Sequence, residues 1–213
     1  MDYKYLDMPC HQKRVSIVKD ELHKYNCYWK NLSIGCGNWY IEKLFPGNFE
    51  WFDIIQIDNP IIPITTWKIE NILSFYTENH FDAIFTGETL EHIYDINKTL
   101  SDIKFILKPN GIFIITIPNI LSFRDRIRVL FWKIPRHINW YLENEHLYEH
   151  IRHFSYQSIK KLLENHWFKI LRISTPSLSY NPFSINSTQE FTNVPDFLAW
   201  LGNNLIVTAR NGK

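Results

Sequence analysis

Residues 31–60 constrain the fold most, because their pieces follow one another in an order that few folds share. They contain an apolar run, a glycine turn, a helical stretch, a second apolar run and an acid: 32–34, Gly35-Cys36-Gly37, 40–45, 54–57 and Asp58. Glycine lets the backbone turn sharply and lets a ligand approach the main chain, and the helix start beyond it presents free N–H groups. The order predicts strand, turn, helix, strand and acid, as in a nucleoside-binding half of a doubly wound sheet.

The spacing within this segment indicates which nucleoside the site would take. Asp58 follows Gly37 by 21 residues, close to the separation of about 20 expected for an acid that binds ribose hydroxyls. A dinucleotide site would need a further glycine where this chain has Tyr40. The sequence contains no Gly-Lys-Ser or Gly-Lys-Thr of a phosphate-binding loop. The residues therefore favour an adenosine that carries no phosphate.

Four segments, in order along the chain, resemble the class I S-adenosylmethionine-dependent methyltransferases. They are the first strand with its glycine turn, the fourth strand with the Glu-His pair after it, the next turn and strand, and a later helix and strand: 32–37, 81–93, 107–118 and 153–168. The resemblance covers roughly residues 29–175 and implies S-adenosyl-L-methionine as the cofactor. Two positions depart from the pattern, since the family usually has an acid in place of Ser33 and a glycine in place of Trp39.

The resemblance also implies the fold class. We expect an α/β, Rossmann-like doubly wound sheet that is mostly parallel and closed by a C-terminal antiparallel hairpin, in a single domain over residues 1–213. Apolar periodicity places a short third strand near 67–69 and later strands at 81–86, 111–118, 168–173 and 205–209. An amphipathic helix is predicted at 15–25, packed on the sheet edge. Asp95 and Ser155 are predicted to begin helices as N-caps.

The predicted cofactor site combines the glycine turn, the ribose acid and two strand ends. Its members are Ser33, Gly35, Cys36, Gly37, Asp58, Glu70, Asn71, Gly87 and Glu88. The strand ends are included because the carboxyl ends of parallel strands face the ligand crevice. The resemblance places a polar residue beside the adenine amine, and Glu70 and Asn71 are the candidates, although an ordinary polar turn explains them equally well.

Residues 120–152 are expected to cover the acceptor side of the site, as they do in the family resembled. His92 is the candidate catalytic base, because it follows the fourth strand, and a structural role in the loop is an alternative. His146, His150 and Arg152 are the candidate substrate-binding residues. The arginines of this segment are typical of a solvated helix face, and contact with an anionic acceptor, a partner or a lipid surface is the functional alternative.

The sequence also offers rivals to this function. Residues 146–150 match the H-x-x-E-H pattern of inverted zinc peptidases, but so short a pattern arises by chance in a chain with nine histidines. We therefore expect no metal ion. Ser33 and Trp39 leave open a catalytically degenerate methyltransferase-like partner of another protein. Asp58 at the ribose spacing favours the enzyme.

Net charge, apolar runs and cysteine spacing limit which partners and which cellular compartment we expect. A net charge of +1 provides no field that would attract nucleic acid, so no nucleic-acid partner is expected. No apolar run approaches the ~20 residues of a membrane span, no signal peptide is recognisable, and three scattered cysteines form no CxxC pair. We expect a cytoplasmic enzyme that methylates an oxygen or nitrogen of a small-molecule or glycan- or lipid-precursor acceptor. The oligomeric state is not indicated.

Overall fold

The computed structural model describes residues 8–35, 45, 47–54, 64–136, 138, 150–179 and 190–212. The strands in these residues are β1 (Lys30–Ile34), β2 (Asn48–Asp53), β3 (Ile64–Thr66), β4 (Phe81–Gly87), β5 (Leu107–Pro118), β6 (Phe168–Ser174), β7 (Leu178–Ser179), β8 (Glu190–Phe191) and β9 (Asn204–Asn211). The helices are α1 (Pro9–Lys24), α2 (Ile96–Ile106), α3 (Phe123–Leu130) and α4 (Tyr156–Asn165). The described residues also contain 3₁₀ turns at Ile69–Ser74, Leu90–His92 and Asp196–Leu201.

Seven of the described strands form one sheet in the order β3-β2-β1-β4-β5-β9-β6. The pairs from β3 through β5 are parallel, whereas β9 is antiparallel to both β5 and β6. The order reverses between β1 and β4, and a ligand crevice forms at such a reversal in open α/β sheets. This topology confirms the predicted Rossmann-like, mostly parallel sheet with its C-terminal antiparallel hairpin.

Both faces of the sheet are covered by helices and apolar side chains. One face carries α2, α4 and the 3₁₀ turn at Ile69–Ser74 over a core that includes Leu32, Ile84 and Phe113. The other face carries α1, whose Leu22 belongs to a second cluster with Phe85. The prediction that the first helix packs on the sheet edge was therefore wrong, because its apolar stripe covers the face of the central strands.

The predicted helix starts are confirmed by their capping hydrogen bonds. Asp95 Oδ1 accepts from the Lys98 N–H at 3.0 Å at the start of α2. Ser155 Oγ accepts from the Ser158 N–H at 3.2 Å, and Ser158 Oγ accepts from the Ser155 N–H at 2.8 Å. Each bond satisfies a backbone donor that has no partner inside its helix.

The second and third strands differ from the sequence prediction in position. β2 ends at Asp53 instead of beginning at position 54, and Ile54 is 62% exposed. Trp51 and Phe52 are buried and lie opposite Ser33 and Ile34 of β1, so their burial fixes the register. β3 lies just before the third strand that was predicted near 67–69. Its first residue, Ile64, pairs with Trp51 of β2, and the strand ends at Thr66.

Among the described residues, no helix combines the length and the apolar character that a membrane crossing requires.

Candidate functional site

A cavity of about 440 Å³ lies at the carboxyl ends of β1, β2 and β4. Its size falls within the range of roughly 300–1,000 Å³ that small-molecule sites occupy. Gly35 lines it at the end of β1, and polar side chains come from the ends of β2 and β4 and from the 3₁₀ turn after β3: Asp53, Glu70, Glu88, Thr89 and His92. Apolar walls include Phe52 and Trp67. The cavity therefore brings together Gly35, Glu70, Glu88 and His92, which the sequence analysis had placed in one site.

Gly35 begins the glycine turn in a backbone conformation that suits glycine. Its φ is +72°, in the left-handed region, and its N–H donates to the Phe52 carbonyl at 2.9 Å. Thr89 packs directly against it, and the Thr89 hydroxyl lies 3.2 Å from the Ile34 carbonyl and 3.0 Å from the Gly87 carbonyl. The turn after β1 is thus held against the end of β4. Cys36 and Gly37 lie outside the described residues.

Asp53 occupies the position at which the sequence analysis expected the ribose acid. It ends β2, is 6% exposed and lines the cavity beside Gly35. Asp58, the predicted acid, lies outside the described residues. The available signal was the run Asn48–Asp53, which contains three aromatic residues and ends on a carboxylate.

The remaining predicted cofactor residues differ in their relation to the cavity. Glu70 lines it, whereas its neighbour Asn71 is exposed and is not a wall residue. Ser33 is fully buried within β1 and does not line the cavity. Gly87 is the last residue of β4, directly before the wall residue Glu88.

Glu88 combines a strained backbone with an ion pair. Its φ is +52°, which is uncommon for a residue with a side chain and is often found at functional sites. Arg14 Nη1 of α1 lies 3.3 Å from Glu88 Oε1, and Asn204 Nδ2 donates to Glu88 Oε2 at 3.0 Å. Burial raises the pKa of Glu88, and the positive charge of Arg14 acts in the opposite direction. Helix α1 and strand β9 thereby hold this carboxylate at the cavity wall.

The acceptor-side candidates meet at the end of β4. The rings of His92 and His150 are 4.7 Å apart between centroids, and His150 Nε2 lies 3.6 Å from Glu91 Oε1. Burial, together with the charge of Glu88, raises the pKa of Glu91 well above its ordinary value. Sequence analysis had placed Glu91 near the ligand crevice, in the Glu-His pair after the fourth strand, without assigning it a role in the site. Its signal was the E-x-x-E-H spacing of Glu88, Glu91 and His92.

Arg152 fixes the segment that carries His150. Its Nε donates to the Ile93 carbonyl at 3.0 Å, and its Nη2 donates to the Tyr94 carbonyl. The Arg152 N–H also donates to the Glu91 carbonyl at 3.0 Å. These bonds give Arg152 a positioning role next to the cavity. His146 lies outside the described residues.

The geometry agrees with the comparison against protein families. Residues 29–173 match the model of a family described as "Methyltransferase domain". The chain belongs to this methyltransferase domain family. The match begins just before β1 and ends within β6, so it includes every strand end that lines the cavity. The predicted resemblance to class I methyltransferases is confirmed, and so is S-adenosyl-L-methionine as the cofactor that the family implies.

Solved structures share the fold of this methyltransferase domain. A SAM-dependent methyltransferase from Archaeoglobus fulgidus superposes with a TM-score of 0.62 at 16% identity, over 98% of this chain and 100% of that one. The 1,6-didemethyltoxoflavin-N1-methyltransferase of Burkholderia thailandensis, solved with bound 1,6-didemethyltoxoflavin and S-adenosylhomocysteine, has a TM-score of 0.61 at 14% identity. That alignment covers 98% of this chain and 81% of the other.

One curated relative is similar over part of its length. Human mitochondrial arginine-hydroxylase NDUFAF5 is 31% identical to this methyltransferase domain over 93 residues, which are 39% of this chain and 27% of the relative. This chain thus matches about a quarter of the relative's length.

Proposed function

We propose that the chain transfers the methyl group of S-adenosylmethionine to an oxygen or nitrogen atom of a small-molecule, glycan-precursor or lipid-precursor acceptor. The observation that carries this proposal is the cavity at the carboxyl ends of β1, β2 and β4, which is lined by a glycine turn and by three acidic residues, Asp53, Glu70 and Glu88. This is where an open α/β sheet binds a nucleoside. Family membership supports the same reaction class.

The residues that are present fit the cofactor. Gly35 has no Cβ and lets the main chain come close to a ligand. We assign Asp53 to the ribose hydroxyls, because a carboxylate accepts two hydrogen bonds and this one ends the strand beside the turn. Glu70 is assigned to the adenine side of the cavity, where Trp67 and Phe52 offer apolar walls. Glu88 stands where β4 ends, on the side that leads to His92.

When bound, S-adenosylmethionine supplies a methyl group that is already activated as a sulfonium substituent. The chain therefore has to align the acceptor and exclude water, which is worth several kcal/mol in the well-oriented case. Among the wall residues, His92 is our candidate for the general base, since an imidazole can take the proton that a hydroxyl or amine loses. His150 and Arg152 flank it on the segment that closes this side.

The end of α3 supports an acceptor that lies at a lipid surface. Leu130, Phe131 and Trp132 are 69%, 58% and 96% exposed, which is unusual for adjacent large apolar side chains. Basic residues flank them at Arg128 and Lys133. An apolar tip with a basic rim suits the interfacial region of an anionic membrane.

Calorimetric titration with S-adenosylmethionine and S-adenosylhomocysteine tests the proposal. We expect a single site with micromolar affinity for both molecules. No binding up to about millimolar would exclude the enzyme and leave the degenerate partner as the function. Binding without turnover of any acceptor would keep the site and redirect the search to the acceptor.

A further inference from the structure

A second feature of the site has no part in the cofactor assignment. Glu91, His92 and His150 each point one ligand atom at a common space, and these atoms all lie within 4.8 Å of one another. Glu91 and His92 come from the 3₁₀ turn Leu90–His92, directly after β4. His150 comes from the separate segment that returns to the sheet at Phe154. Two independent parts of the chain therefore build the cluster.

The Glu91 carboxylate is an unusual group to bury at this place. Glu91 is 1% exposed, and among the described residues neither carboxylate oxygen has a hydrogen-bond partner. His150 is a basic neighbour of Glu91, and the separation of 3.6 Å between His150 Nε2 and Glu91 Oε1 is longer than a hydrogen bond. A buried carboxylate without hydrogen bonds is costly unless a proton or a cation neutralises it. Arg14, which forms an ion pair with Glu88, also places positive charge near Glu91.

We propose that Glu91, His92 and His150 bind a divalent transition-metal cation at the acceptor side of the cavity. Two imidazoles and one carboxylate are a donor set that suits Zn²⁺, Fe²⁺, Co²⁺ or Ni²⁺ better than Mg²⁺ or Ca²⁺. Zinc ligands lie about 2.0–2.2 Å from the ion, so atoms already within 4.8 Å of one another reach it through small side-chain movements. Three protein ligands leave a coordination position open, as in catalytic zinc sites.

The location gives the cation a role that rests on the proposed methyl transfer. His92 is both a member of the cluster and a wall residue of the cavity, so a cation held by the cluster would adjoin the cavity. A cation there would lower the pKa of an acceptor hydroxyl, as zinc does for water. The acceptor class would then be a hydroxyl compound: its oxygen would bond to the methyl group as the methyl–sulfur bond breaks, and its proton would pass to water. His92 would serve as a ligand instead of as a base.

The H-x-x-E-H pattern at 146–150 contains one member of this cluster, and the other two members lie outside the pattern. His150 closes that H-x-x-E-H pattern, whereas its structural neighbours are Glu91 and His92. The residues that would complete a peptidase-type site, His146 and Glu149, lie outside the described residues. The expectation of no metal ion came from that pattern and from the absence of a CxxC pair, and it did not consider the spacing of Glu88 to His92.

Metal titration of the purified chain tests the inference directly. After treatment with a chelator, the chain is titrated with Zn²⁺ by calorimetry and with Co²⁺ by visible absorption. We expect one equivalent of each and a cobalt spectrum typical of nitrogen and oxygen ligands. Variants Glu91→Gln and His150→Gln should lose at least about a hundredfold in affinity, since even outer partners of a metal site contribute 10- to 100-fold. His166→Gln is the matched control, because His166 bonds Asn97 on the surface far from the cluster.

The outcomes separate this inference from the proposed function. A folded chain that binds no Zn²⁺ up to about millimolar overturns the metal site, and so does a His150→Gln variant that keeps full affinity. Circular dichroism of each variant shows whether a loss of affinity comes from unfolding. The number of Zn²⁺ ions that the wild-type chain binds tests the site even if a variant does not fold. Metal binding without S-adenosylmethionine binding would defeat the methyltransferase function and keep the site. Binding of S-adenosylmethionine without binding of metal would overturn only the proposed metal site.

Discussion

Thr89 packs so closely over Gly35 that a Cβ built on the glycine would lie 2.2 Å from the Thr89 Oγ1 atom. The contact joins the turn after β1 to the end of β4, and the Thr89 hydroxyl bridges the Ile34 and Gly87 carbonyls. Since Gly35 also has a φ of +72°, both space and backbone conformation require glycine there. The shape of the cofactor turn therefore depends on a residue from a different strand.

Gly35→Ala should weaken S-adenosylmethionine binding and lower the melting temperature. The new methyl group meets Thr89, and the left-handed backbone adds a strain of about 1–3 kcal/mol. Calorimetry and thermal unfolding measure the two effects. Adding Thr89→Ala should recover part of the loss, because the steric contact disappears while the backbone strain stays. A single variant with wild-type affinity would show that the turn does not contact the cofactor.

Asp53→Asn should weaken S-adenosylmethionine binding by about tenfold to a hundredfold, because hydrogen bonds to a charged group contribute about 1.5–3 kcal/mol. The substitution keeps the shape of the side chain and removes its charge. The matched variant is Asp58→Asn, which changes the acid that sequence spacing favoured. Calorimetry of both identifies the ribose acid, and a loss confined to Asp58→Asn would refute the assignment to Asp53.

These two acids illustrate what the sequence could and could not predict. The strand, turn, helix and acid order predicted the sheet and the side of it on which the cavity opens. The position of the acid depended on where β2 lies, and residues 48–53 and 54–57 are both apolar enough to form a strand. Residues 48–53 form the strand that pairs with β1, because this pairing buries Trp51 and Phe52 in the sheet. Tertiary pairing of this kind leaves no local signal.

The acceptor side was predictable as a region but not as a set of contacts. His92 and His150 were named from their separate places in the chain, yet their proximity depends on a segment that returns to the end of β4. Arg152 holds that segment by donating to the Ile93 and Tyr94 carbonyls, which no side-chain pattern reveals. Glu91 was expected near the crevice but received no role, because an acid beside a histidine is common and only its burial makes it unusual.

Arg14→Met should destabilise the fold by about 1–3 kcal/mol, because it leaves Glu88 partly buried without its cation. The figure is below that of a fully buried pair, since the Glu88 side chain is 27% exposed. Urea unfolding measures the change, with Lys13→Met on the same helix as control. The double variant Arg14→Met with Glu88→Gln should recover stability, since no buried charge is then left alone. An equal loss in single and double variants would mean that Arg14 acts through packing.

His11 should make the fold less stable as the pH falls below about 6.5. Burial, with a smaller effect of Arg14, lowers the pKa of His11 from 6.5 to about 3 in the folded state. Between these values the unfolded chain takes up a proton that the folded chain does not, so stability is lost as pH decreases and is constant above the window. The raised pKa values of Glu88 and Glu91 act in the opposite direction. The comparison with His11→Gln therefore isolates this residue.

Urea midpoints of wild type and His11→Gln at several pH values between 7.5 and 4.5 measure this difference. The variant should lose less stability on acidification than the wild type. His23→Gln, an exposed histidine on the same helix, should follow the wild type. Parallel curves for wild type and His11→Gln would show that His11 takes up its proton equally in both states.

Trp132→Asn should weaken binding to anionic phosphatidylglycerol vesicles by about tenfold, because a large apolar side chain contributes about 1.5–3 kcal/mol when it leaves water. Trp167→Asn is a matched control, since Trp167 is 77% exposed and Trp132 is 96% exposed. Both have a positive φ, 57° and 62°, which asparagine tolerates. Sedimentation with vesicles measures the affinity, and salt should reduce it because Arg128 and Lys133 flank the tip. Equal losses in both variants, or no binding by the wild type, would exclude a lipid surface as the place where this chain meets its acceptor.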